Sequence, residues 1–132
     1  MARAVDVISD AFRQELRRRL PDSPELSEAT LKALVLASRE YLSGLNTACS
    51  RTDRQFRLLI EARVQGELYE LLVGWIEALP EGRQPPNPGV TASVVSWAIF
   101  GVGLQWSRYE VTVPAEEIVD RAFSVIVEGL RL

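Results

Sequence analysis

Residues 89–107 read GVTASVVSWAIFGVGLQWS, a run with no charged side chain in a chain whose residues are 25% charged. It opens directly after QPPNP (84–88), whose prolines cannot prolong a preceding helix, and it carries no turn signal before RYE at 108–110. Such a stretch reads as a helix that is apolar around most of its circumference. A second strongly apolar helix follows it and ends at EGLRL (128–132). A chain of 132 residues has too little interior to cover two such helices on all sides. A second copy would supply the missing cover, so the sequence speaks first about assembly.

Working outward from this run, helical spacing accounts for the rest of the chain, and no segment alternates as a strand would. Val5, Ile8, Phe12, Leu16 and Leu20 mark one face of a first helix over about 3–20, which Pro21 ends. PDSPEL makes a turn, with Ser23 or Ser27 as N-cap of a second helix carrying Leu31, Leu34, Val35, Ser38, Tyr41, Leu42, Leu45 and Cys49 on one stripe. A third begins at Thr52, where Thr52 and Gln55 have capping-box spacing, and runs to Leu79. Gly66 lies inside it at a cost of about 1 kcal/mol relative to alanine, so a kink or break is expected there. Arg57 with Glu61 and Arg63 with Glu67 have the spacing of surface ion pairs. The fourth helix is the uncharged run, and Pro114, Glu116 and Glu117 suit the start of the last. The expected fold is all-α: a single domain over 1–132, an antiparallel bundle of five to six helices, with the last two helices forming a four-helix interface between two copies.

Composition excludes several classes of function. Net charge is -3, which offers no general attraction to nucleic acid or anionic lipid. There is no histidine, so the commonest general base and metal ligand is missing. Cys49 is the only cysteine; neither a disulfide framework nor a thiolate metal cluster is expected, and a reducing cytoplasm fits. Arg17, Arg18 and Arg19 form the only basic run, in a last helical turn where cations complement the dipole. No glycine-rich phosphate loop, nucleophile–base pair or metal-ligand spacing is present, so neither enzyme, cofactor nor metal site is expected.

On the fourth helix Val95, Ile99, Val102 and Trp106 form a bulky stripe, while Ser93, Ser96, Gly103 and Ser107 form a small one interrupted by Phe100. Small residues let a neighbouring backbone approach closely. With Val119, Phe123, Ile126 and Leu130 of the last helix, these residues (Ser93, Ser96, Phe100, Gly103 and Ser107) are the expected homodimer interface. Two other uses of the run compete with it: the buried centre of a monomeric bundle, and a membrane span. Thr91, Ser93, Ser96 and Gln105 dilute the span, and no basic cluster flanks it, so no membrane contact is expected.

SWAIFGVGLQWSRYE (96–110) followed by AEEIVDRAFSVIVEGL (115–130) resembles the last two helices of tetracycline-repressor-like (TetR) transcriptional regulators. Trp97, Gly101 and Trp106 match the family's tryptophan, glycine and second aromatic, and Glu116, Glu117, Gly129 and Leu130 match its final helix. TDRQFRLLIEARVQGELYELLVGWIEAL (52–79) is similar to the middle helices, so the resemblance covers about 27–131. One branch of the family has a histidine where this chain has Phe100. The family's N-terminal helix-turn-helix has no counterpart before Ser27, and residues 1–20 resemble the connector that leads out of it.

The resemblance implies a homodimeric regulatory domain that holds a small, mostly apolar effector and reaches DNA only through a missing N-terminal domain. By resemblance the effector lies between the middle helices and the penultimate helix. Tyr41, Phe56, Arg63, Tyr69, Trp75, Trp97 and Phe100 are the candidate ligand contacts, with Ser38 and Gln105 as polar ones. The alternative is a helical, dimeric protein–protein interaction module with no small-molecule ligand.

Overall fold

The computed structural model describes the backbone of residues 2–48, 54–108 and 115–130, and the side chains of 7, 9–44, 55–105, 117 and 120–128. Five α-helices follow one another: α1 (Ala2–Arg19), α2 (Glu28–Ala48), α3 (Arg54–Glu77), α4 (Pro88–Arg108) and α5 (Ala115–Leu130). A 3-10 turn at Glu81–Arg83 lies between α3 and α4, and there is no strand among the described residues. Cys49, Thr52 and Pro114, with the side chains of Val5, Ile8, Leu45, Trp106, Ser107, Glu116, Val119 and Leu130, lie outside what is described.

Local chemistry accounts for the helix starts. Ser27 caps α2: its Oγ accepts from the Thr30 amide at 3.2 Å, and the Ser27 amide donates back to Thr30 Oγ1 at 3.0 Å. This reciprocal pair is a capping box in which threonine replaces the usual acid. Asn87 does the same for α4, its Oδ1 accepting from the Val90 amide at 3.2 Å, and Pro88 takes the first helical position, where an amide would have no helical partner. At the other end of that loop, Gln84 Nε2 donates to the carbonyls of Glu77 and Leu79, which the end of α3 leaves open.

The expected break at Gly66 does not occur; α3 is continuous from Arg54 to Glu77. Ile60, Val64, Leu68, Leu72 and Ile76 recur every fourth residue along it, and all are buried. Burying each such side chain contributes about 1.5–3 kcal/mol, which outweighs the roughly 1 kcal/mol of one interior glycine.

This ridge meets Leu31, Leu34, Val35 and Leu42 of α2 and Ala92, Val95, Ile99 and Phe100 of α4 in one core. Phe12 and Leu16 close it from α1, and Phe123 and Ile126 from α5. α4 packs on α2, α3 and α5, and α2 packs on α1, α4 and α5. Gln65 of α3 reaches Ser96 of α4, while Tyr69 comes near Gly89, so residue numbers rise along one helix as they fall along the other.

Candidate functional site

The α2–α4 crossing is set by two small residues. A Cβ on Gly103 would lie 3.0 Å from Ser38 Cβ and 3.2 Å from the Arg39 amide nitrogen, so the absence of a side chain there lets the two backbones approach. Ser38 is fully buried, and its hydroxyl has no hydrogen-bond partner among the described residues. Ser96 is also fully buried: it accepts from Gln65 Nε2 and donates to the Ser93 carbonyl, both at 3.0 Å. Ser96 and Gly103 of the small stripe are therefore engaged inside one chain.

The same holds for most of the expected interface. Phe100, Phe123 and Ile126 are buried in the core, and Ser93 is half-buried. Lys32 of α2 fixes α5 further, its ammonium 5.0 Å from the centre of the Phe123 ring and 3.3 Å from Asp120. The apolar side chains that point outward are different ones. Val90, Val94 and Trp97, spaced as one face of α4, are 58%, 64% and 55% exposed, and Val125 of α5 is 72% exposed. Leu58 and Leu59 add a smaller exposed pair on α3. Helical spacing alone did not find these, because α4 is uncharged on every side up to Ser107.

The nine candidate ligand contacts do not converge. Trp75 and Phe100 are core; Phe56 and Tyr69 are half-buried; Arg63 and Gln105 are exposed. Trp97 meets Phe100 edge-on at 5.8 Å between ring centres, on the outside of the bundle. Ser38 is enclosed, and Tyr41 packs at 5.1 Å against Phe12. Only Tyr41 lines either of the two clefts described next.

Both clefts have α1 as a wall. One, about 510 Å³, lies between α1 and α2 beside Tyr41. Its charges are already paired, Glu15 with Arg18 and Arg19, and Glu40 with Arg39. Burial acts to raise the Glu15 pKa, but the hydrogen bonds from Arg19 and Arg18 prevail and hold it below the ordinary value.

The other cleft, about 530 Å³, lies between α1, the turn after it, and α3. At one end Arg13 forks onto Glu67, Nε to Oε2 at 3.0 Å and Nη2 to Oε1 at 2.5 Å, while Ser9 Oγ donates to Oε1 at 3.2 Å. The Arg13 hydrogen bonds pull the Glu67 pKa down despite partial burial, with smaller help from Ser9 and Arg63. Glu67 thus clasps α1 to α3 rather than serving only as a neighbour of Arg63 along its own helix. Among the described residues, no group of three or more His, Cys, Asp or Glu side chains is placed to hold a metal ion.

α4 from Pro88 to Gln105 is long and apolar enough to cross a membrane by length and composition, and one third of that window is buried inside the chain. Compared with protein-family models, curated proteins and solved structures, the chain matches none.

Proposed function

We propose that this chain is a dimerising, ligand-sensing domain similar to the regulatory half of a TetR-like repressor, in which α4 makes the contact between copies and α1 carries the response to a DNA reader. The outer face of α4 supports this reading. Val90, Val94, Trp97 and Gly101 follow one another at helical spacing, all are exposed, and no charge interrupts them. Exposed apolar residues scattered singly need no explanation, but a run on one helix face marks an association surface. A second copy brings the same uncharged surface, and helix faces of this kind pack well about a twofold axis.

The sensing half of the proposal rests on α1. It walls both described clefts and is tied to α3 by the Arg13–Glu67–Ser9 clasp, so an occupant of either cleft acts directly on it. Ligand binding shifts an α1 equilibrium only to the extent that it favours one arrangement over the other. The second reading, a dimeric interaction module without a small-molecule ligand, draws on the outward position of Trp97 and the filled core around Phe100.

A native mass spectrum under gentle conditions tests the assembly. The expected result is a dimer for the parent chain and a monomer for the Val94→Glu, Trp97→Glu double variant with its helix content intact. A monomeric parent at micromolar concentration overturns the proposal; a dimer that survives both substitutions moves the interface off this face.

A further inference from the structure

We propose that the cleft between α1, the Pro21–Pro24 turn and α3 binds a small amphipathic anion, with Arg17 as its charged anchor. This rests on the sensing half of the function proposed above and gives it a site and a ligand class. The lining is mixed: Arg13, Arg17, Asp22 and Glu67 bring charge, while Leu16, Leu20, Pro21, Pro24 and Leu71 bring apolar surface. Glu67 is already neutralised, because Arg13 occupies both of its carboxylate oxygens. Among the described residues Arg17, one helical turn beyond Arg13, has no hydrogen-bond or ion-pair partner, whereas Arg13, Arg18 and Arg19 all have carboxylate partners. Arg17 is therefore left to meet an anion, and its guanidinium fork suits a carboxylate or sulfonate.

The apolar part of the lining joins the core through Leu16, so a hydrocarbon body laid over Leu20 and Leu71 loses contact with water while its head meets Arg17. The volume, about 530 Å³, falls within the range of about 300–1,000 Å³ usual for small-molecule sites. Asp22 also lines the cleft, in the turn beyond Leu20. Its carboxylate opposes an anion in the same cleft. Removing it therefore has the opposite effect to removing Arg17.

The test uses 1-anilinonaphthalene-8-sulfonate, an apolar body with one anionic group, and N-phenyl-1-naphthylamine, its uncharged counterpart, titrated by fluorescence into the full chain. The sulfonate is expected to bind one per chain, about fivefold more weakly to Arg17→Gln and more tightly to Asp22→Asn. The uncharged probe is expected to bind all three proteins alike. Both substituted residues are exposed, so the variants keep the fold, which circular dichroism checks. Equal sulfonate affinity for the parent and Arg17→Gln overturns the site, as does the absence of binding. Binding that is lost instead in Trp97→Ser overturns this site but leaves a ligand-sensing function in place. Dimerisation is read separately by mass, and a monomer that still binds through Arg17 leaves this inference standing.

Discussion

A methyl group added to Gly103 and one added to Gly66 meet opposite surroundings, although both residues lie inside helices. At Gly103 the new carbon would come within 3.0 Å of Ser38 Cβ, 3.2 Å of the Arg39 amide nitrogen and 3.3 Å of the Ser38 carbonyl carbon. Two of those atoms are backbone, so relief requires α2 and α4 to separate. At Gly66 nothing lies within 4 Å. The helix-propensity gain is about 1 kcal/mol at either site, while overpacking typically costs about 1–3 kcal/mol. Gly103→Ala is therefore expected to destabilise the chain by up to about 2 kcal/mol, the crowding exceeding the gain. Gly66→Ala is expected to stabilise it by up to about 1 kcal/mol. Urea unfolding of both variants checks the pair, and a stabilised Gly103→Ala would mean that the crossing is looser than its geometry. The sequence marked both glycines as unusual but could not tell them apart, since only a neighbouring helix makes one of them obligatory.

Among the elements, α1 is the one whose attachment depends most visibly on charge. Its clasp to α3 consists of Arg13 and Ser9 bonded to Glu67, whose pKa is lowered chiefly by the Arg13 hydrogen bonds. A carboxylate with a folded-state pKa below its unfolded value contributes stability that is fully present above the unfolded value and is lost as pH falls through the folded one. Glu15, also lowered, adds to the same acid limb. Glu67→Gln is expected to shrink the loss of stability on acidification without abolishing it, and to speed amide exchange in α1 at neutral pH relative to α3. An unchanged acid limb with unchanged α1 protection would sink the clasp. Little of this was legible beforehand: Glu67 lies four residues from Arg63, and only the fold brings Arg13 closer. The elements themselves were far more legible, because Pro21, Ser27, QPPNP and the apolar spacing of α1 to α3 mark ends and faces by local rules. α4 was legible as a helix, and its bulky stripe marked Val95 and Ile99, which are buried. With no charge on any side up to Ser107, its sequence did not mark Val94 and Trp97 as the face left in water.

For the whole molecule, stability and assembly become one question. If two copies close over the outer face of α4, the folded chain is stabilised by mass action, and its melting temperature rises with protein concentration. Trp97 is more than half exposed in a single chain, so it also reports the event, moving into a drier setting as copies associate. Trp75 is already buried in the core and changes little. The expected outcome is a melting temperature that climbs across a hundredfold range of concentration for the parent chain, accompanied by a blue shift of tryptophan emission. Trp97→Ser should flatten the concentration dependence and remove most of that shift, while leaving the core of Ile60, Leu68 and Ile99 intact. A melting temperature independent of concentration in the parent would mean that one chain tolerates Val90, Val94 and Trp97 in water. The uncharged run would then be the centre of a monomeric bundle, with its small stripe at Ser96 and Gly103 already matched to α3 and α2.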